Sequence, residues 1–264
     1  MAVGDTMDGG GLLLGPERPV ISLVIPAYNE ERYLPRTLES VDVARECWRR
    51  DSSLLEVIVA DNVSMDRTAT IARARGCRVV TIEERRIAAV RNGGAAIAAG
   101  EILCFVDADS VIHPETFNEI EDALATGRVV AGATGVRMER WSLGIAVTYA
   151  VLMPMVWLSR MDTGVVFCAR EDFEAVGGYD ERRFFGEDVQ LLWDLRRIGC
   201  QRKQRLARLR SVKALASTRK FDTHGEWHYF TGLFLLLPKL LWSPHATTDY
   251  ANKFWYGEQR TPKS

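Results

Sequence analysis

The chain has 264 residues, enough for one large domain or two small ones. Its apolar content of 47% and charged content of 26% are those of a globular protein with a substantial core, and a formal net charge of -1 gives no bulk attraction for nucleic acid, so any recognition of phosphate must be local. The five cysteines are odd in number and scattered without a Cys-x-x-Cys pair, which points away from a disulfide framework or zinc site and fits a reducing cytoplasm.

Residues 1–19 are rich in glycine and read as a mobile tail. They lack a basic n-region, Leu12-Leu13-Leu14 is too short for a signal segment, and Gly9-Gly10-Gly11 is not followed by the Lys-Ser/Thr of a P-loop. An apolar strand is expected over Val20–Ile25, ended by Pro26. A helix follows over residues 31–48, with Leu34, Leu38, Val41 and Arg45 near helical spacing. Leu55–Ala60 reads as a second strand running into Asp61, and Asp66 as the N-cap of the next helix. A third strand is expected over Arg78–Ile82, then an alanine-rich helix over Ala88–Ala99 stopped by Gly100. The run Ile102–Val106 reads as a buried strand closing on Asp107-Ala108-Asp109. Pro114 is placed at the first position of another helix, and Val129–Ala133 as a further strand.

Strands alternating with helices predict an α/β fold with a mostly parallel sheet and right-handed crossovers. In such a sheet the strand ends carrying Asn29 and Glu30, Asp61 and Asn62, and Asp107 and Asp109 share the edge where ligands bind. Taken alone, Asp-x-Asp admits two readings: a cap beside a solvated neighbour, or a pair of hard oxygen ligands for Mg²⁺ or Mn²⁺ holding a diphosphate.

The second half reads differently. Residues 141–159 carry no charge and approach the length of a membrane span, yet Ser142, Gly144, Thr148, Tyr149 and Pro154 favour a buried or interfacial helix. A strand is expected over Gly164–Ala169, with Cys168, like Cys104, a core thiol. An amphipathic helix is expected over Glu187–Ile198, ended by Gly199. A basic segment covers residues 201–210, and residues 231–242 form a second apolar run broken by Pro238.

Several motifs in order resemble the glycosyltransferase family 2 pattern of the GT-A fold. They are the opening strand and turn Val24-Ile25-Pro26-Ala27-Tyr28-Asn29-Glu30, the second strand and acidic turn from Glu56 to Thr68, Arg91-Asn92-Gly93, Phe105-Val106-Asp107-Ala108-Asp109-Ser110, and Gly177-Gly178-Tyr179-Asp180 followed by Gly186-Glu187-Asp188. Asn62 stands where a second Asp is commoner, and Val63 where Gly is usual. No Gln-x-x-Arg-Trp follows Asp188, which implies a non-processive enzyme.

The resemblance implies a GT-A domain over 20–230, with a nucleotide-sugar half (20–110) and an acceptor half (111–230), followed by a helical extension over 231–264. It implies metal-dependent, inverting transfer of a sugar from a nucleoside diphosphate, UDP by family frequency, to an acceptor hydroxyl. Asp188 would be the general base and Glu187 would orient the acceptor or loop. The donor would meet Pro26, Ala27, Tyr28, Glu30, Asp61, Arg91, Asp107, Ala108 and Asp109. Mn²⁺ or Mg²⁺ would be held by Asp109 directly, with Asp107 supporting and His224 as a late ligand. A saccharide, small molecule or lipid-linked acceptor is admitted, with peripheral contact at the inner membrane face. A retaining transferase on a small phosphorylated acceptor, or a non-catalytic nucleotide-sugar-binding scaffold, are the alternatives on the same fold.

Overall fold

The computed structural model describes residues 18–142, 146–147, 150, 163–183 and 186–218. His224, the extension 231–264, the apolar runs beyond residue 150 and all but the end of the N-terminal tail lie outside the described residues. Eight strands form one sheet in the order β3-β2-β1-β4-β7-β6-β8-β5. They are β1 (Ile21–Ala27), β2 (Leu55–Asp61), β3 (Arg78–Thr81), β4 (Ile102–Phe105), β5 (Ser110–Val111), β6 (Val129–Met138), β7 (Val166–Ala169) and β8 (Arg205–Ala216). Pairs β1–β2, β1–β4, β2–β3 and β6–β8 are parallel; β7 runs antiparallel to both β4 and β6, and β5 to β8.

Both faces are covered, which is why the central strands read as unbroken apolar runs. Ile21, Leu23 and Ile25 of β1 pack with Leu34, Leu38 and Val41 of α1 (Leu34–Cys47) and with Phe117 and Ile120 of α4 (Thr116–Ala125). Val24, on the opposite face, belongs to a second buried cluster that includes Ala88 and Ala95 of α3 (Ile87–Ile97) and Leu191, Leu192 and Leu195 of the helix Glu187–Gln201. That last helix is called α6 here, after α2 (Thr68–Ala74) and the short α5 (Arg170–Ala175). Cys104 and Cys168 are fully buried free thiols, as the apolar runs around them require.

Pro26 does not end β1. Val20 and Val24 accept bonds from Ile102 and Val106, so even-numbered residues of β1 turn their backbone toward β4, whereas Ala27 accepts from Asn62 on the other side. The β1–β4 register stops at Val24–Phe105, so Pro26 lacks its N–H where no partner remains. Helix α1 starts at Leu34 rather than 31, with proline in its first turn. Asp66 accepts the Thr68 N–H, but the cap position falls on Arg67. Pro114 lies two residues before α4 rather than at its first position.

Two glycines read as helix stops have another role. A Cβ on Gly100 would lie 2.6 Å from the Ser22 backbone nitrogen. Gly199 sits inside α6, where a Cβ would lie 2.6 Å from a methyl of Val130 on β6. Both allow close approach to the sheet rather than a left-handed cap. The basic segment after residue 201 becomes strand β8. No described helix is long and apolar enough to cross a membrane.

Candidate active site

The ends of β1, β2 and β4 meet at one rim, as three adjacent parallel strands must. The turns after β1 and β2 are sewn together. Asn29, at φ 53°, donates its N–H to the Ser64 hydroxyl and accepts the Met65 N–H on its side-chain oxygen. Glu30 donates its N–H to the Thr68 hydroxyl and is itself buried. Ala27 is buried against this turn, and the Arg85 guanidinium lies 5.7 Å over the ring of Tyr28.

Asp61 is 4% exposed; Oδ2 accepts the Ser64 N–H at 3.3 Å, and Oδ1 is buried without a hydrogen-bond partner. A buried carboxylate oxygen left unsatisfied is costly unless a ligand donates to it. Asn62, beside it, is structural: its amide donates to the carbonyls of Ile82 and Glu84 and ties the end of β2 to the chain beyond β3. Val63 stands at φ 56°, the left-handed conformation that explains why glycine suits this position.

The Asp107–Asp109 turn is fixed by α1. The Thr37 hydroxyl donates to the Ala108 carbonyl at 2.7 Å, and the Ser40 hydroxyl accepts the Ile112 N–H at 3.0 Å. Ala108 is thereby buried, while the Asp107 side chain remains half exposed.

Arg91 lies at the centre. The sequence leaves it open between a solvated face of an alanine-rich helix and a residue that contacts the diphosphate or orders Asp107; only 5% of its side chain is exposed. One terminal nitrogen bonds Asp107 Oδ1 at 2.9 Å; the other bonds Glu187 Oε1 at 2.9 Å and Asp188 Oδ1 at 2.8 Å. The guanidinium also lies 5.2 Å over the ring of Tyr179. Burial alone would lower its basicity, but Asp188 and the other anions around it reverse the balance and hold the charge. Arg91 therefore joins the turn after β4 to the start of α6.

Asp188 occupies the first turn of α6, where the helix dipole favours a carboxylate. Burial nevertheless wins: with Glu187 and Asp107 adding repulsion, it is pushed up to about 6 against the pull of Arg91 and Tyr179. The helix terminus thus does not hold Asp188 as firmly ionised as its sequence position suggests. Its Oδ1 accepts from both Arg91 and the Tyr179 hydroxyl, the latter at 2.9 Å.

Tyr179, Asn92, Thr37 and Ser40 carry no role in the sequence reading. Tyr179 and Asn92 lie inside motifs that the resemblance rests on; Thr37 and Ser40 are ordinary helix residues with no signal of their own. Among the described residues no three His, Cys, Asp or Glu side chains converge to cage a metal. Asp107 and Asp109 supply two hard oxygen donors on one pinned turn, and His224 is beyond the described residues.

Comparison with known proteins identifies the fold and the family. A 4,4'-diaponeurosporenoate glycosyltransferase from Staphylococcus haemolyticus is 37% identical over 102 residues, covering 36% of this chain and 25% of that one. The curated relatives are much longer than the matched segment, which spans 28%, 25% and 22% of three of them. A mannosyltransferase from Pyrobaculum calidifontis in complex with GDP-Man and Mn²⁺ superposes with a TM-score of 0.59 at 22% identity, covering 75% of this chain and 57% of that one. Glucosyl-3-phosphoglycerate synthase from Mycobacterium tuberculosis, in complex with Mn²⁺, UDP and glucosyl-3-phosphoglycerate, superposes with a TM-score of 0.57 at 24% identity, covering 78% and 75%. The fold is that of the GT-A glycosyltransferases. The family model described as glycosyl transferase family 2 matches residues 22–155, just over half of the chain, and the chain belongs to that family.

Proposed function

We propose that the protein is a metal-dependent, inverting glycosyltransferase that moves one sugar from a nucleoside diphosphate, UDP in the first instance, to an acceptor hydroxyl. The carrying observation is the buried Arg91, which ties Asp107 on the donor side to Glu187 and Asp188 on the acceptor side.

Each residue has a task. Asp61, with its unsatisfied buried oxygen, accepts an N–H of the nucleobase, flanked by the turn from Pro26 to Glu30. Asp188 takes the proton of the acceptor hydroxyl as that oxygen attacks the anomeric carbon and the bond to the diphosphate breaks. A base opposite the leaving group gives inversion in a single displacement. Glu187, held by Arg91, orients the acceptor side. Three carboxylates around one guanidinium leave excess negative charge, which repels a diphosphate unless a cation accompanies it. Asp109 and Asp107 fit Mn²⁺ or Mg²⁺ by donor type, with His224 as a further ligand, and the similar structures that hold Mn²⁺ beside a nucleotide support this. When bound, the ion offsets charge developing on the leaving diphosphate.

The resemblance of Asp107-Ala108-Asp109 to the family's metal motif supports giving the direct metal bond to Asp109, the last carboxylate of the motif. The domain is assigned to 20–230. The acceptor is a saccharide, small molecule or lipid-linked hydroxyl. A thermal-shift panel of UDP-glucose, UDP-GlcNAc and GDP-mannose with and without Mn²⁺ identifies the donor; hydrolysis of that donor then tests the chemistry. Asp109→Ala should weaken metal-dependent donor binding, and Asp188→Asn should abolish turnover while sparing binding. Normal turnover by Asp188→Asn removes the base assignment.

A further inference from the structure

We infer that Tyr179 is a positioning residue for Asp188: its hydroxyl fixes one carboxylate oxygen and leaves the other as the proton-accepting atom. This rests on Asp188 being the general base, and goes beyond it by naming what aims that base.

The hydroxyl is delivered by a rigid frame. Gly177 and Gly178, at φ 81° and 73°, turn the chain after α5 in a conformation that glycine adopts without strain. A Cβ on Gly178 would lie 2.8 Å from the Asn92 side-chain oxygen. That Asn92 grips the Tyr179 backbone from both sides, accepting its N–H and donating to its carbonyl, each at 2.9 Å. The ring packs edge-on against Phe105 and Phe173, at centroid distances of 5.1 and 5.9 Å, and is 2% exposed. Its O–H then reaches Asp188 Oδ1 at 2.9 Å.

Aromatic packing and the Arg91 contact would be satisfied by phenylalanine; among the described residues the hydroxyl bonds Asp188 alone. Oδ1 of Asp188 receives both this O–H and an N–H of Arg91, whereas Oδ2 carries no hydrogen bond among the described residues. Two donors on one oxygen orient the carboxylate and favour its charged form. Among the described residues the charged groups facing Asp188 are Arg91 from α3, Glu187 from α6 and Asp107 from the turn after β4, and none changes when the hydroxyl is removed. Burial raises the phenol far above its usual range, so it stays protonated and donates throughout.

The test is Tyr179→Phe, read by donor hydrolysis against pH and by infrared titration of the Asp188 carboxylate, its band assigned by loss in Asp188→Asn. A lost hydrogen bond to a charged group should move the Asp188 titration up by about one unit and cut kcat about fivefold at pH 6, with the donor KM unchanged. Tyr179→Phe added to Asp188→Asn should change neither remaining turnover nor donor binding. An unshifted titration in a folded Tyr179→Phe protein overturns the inference even if Asp188→Asn is inactive. Full turnover by Asp188→Asn removes instead the underlying reading of Asp188 as base.

Discussion

Asp188→Asn should make the protein more stable at pH 8 while removing turnover. Asp188 is raised from 3.8 to about 6 in the fold, so the folded state favours its neutral form. A carboxylate shifted upward contributes stability that is present below its unfolded value and lost as pH rises through its folded value. Between pH 4 and 7 the protein therefore loses about 3 kcal/mol through this one group, from roughly two units at about 1.4 kcal/mol each. That figure is net, since the attraction of Arg91 and the bond from Tyr179 already oppose the rise. An amide resembles the neutral acid: its oxygen can accept from both Arg91 and Tyr179 with Nδ2 in place of Oδ2. At pH 8 the variant should gain about 2–3 kcal/mol, or roughly 5–10 °C in Tm for a chain of this size, and at pH 4 almost nothing. Paired thermal or urea unfolding at the two pH values measures it. A Tm below the parent at pH 8, or an equal change at both pH values, refutes the reasoning: Asp188 would then be net stabilised as an anion rather than held there at a cost.

Arg91→Met should be the most damaging single change at the site. It strands Glu187 and Asp188, each only 14% exposed, and should cost about 3–5 kcal/mol by urea unfolding; adding Asp188→Asn should recover more than 1 kcal/mol, because the two sites share one interaction. Val63→Gly should stabilise by about 0.5–1 kcal/mol, because release of a β-branched residue from φ 56° outweighs the extra freedom of glycine in the unfolded chain; a lower Tm would mean that Val63, although 40% exposed, packs usefully in that turn. Asp109→Ala and Tyr179→Phe separate by readout: the first should lower donor affinity only when Mn²⁺ is present, and the second should shift the pH profile and leave affinity alone.

The strands that carry the rim were legible because burial on both faces leaves an unbroken apolar run ending abruptly in carboxylates, as in Ile102–Asp107. Strand β8 was not. Its buried residues are Leu206, Leu209, Val212 and Ala214, spaced by three, three and only then two. The register explains this: Thr134 pairs with Leu209 and the next residue, Gly135, with Lys213, so an irregularity inserts extra residues and breaks the alternation. Arginines on the exposed positions then make the segment look like a solvated basic patch. Gly100 and Gly199 mislead for a related reason. A glycine that ends a helix and one that lets a backbone touch a distant strand are the same letter, and only the position of Ser22 or Val130 tells them apart.

The same limit governs the site. Each acidic residue could be placed on a strand end or helix start from local pattern alone, since capping, turn chemistry and apolar runs are local. What those residues do to one another depends on Arg91, whose alanine-rich helix fits a solvated face as readily as a site, and whose neighbours in space are three carboxylates and an aromatic ring. The acidity of Asp188 is set by that assembly and by burial, not by its place in the first turn of α6. A carboxylate in the first turn of a helix is ordinarily held as an anion by the helix dipole. The folded structure takes that carboxylate out of water, surrounds it with two others, and leaves one guanidinium and one phenol to keep it titrating near neutrality, where a general base is most effective.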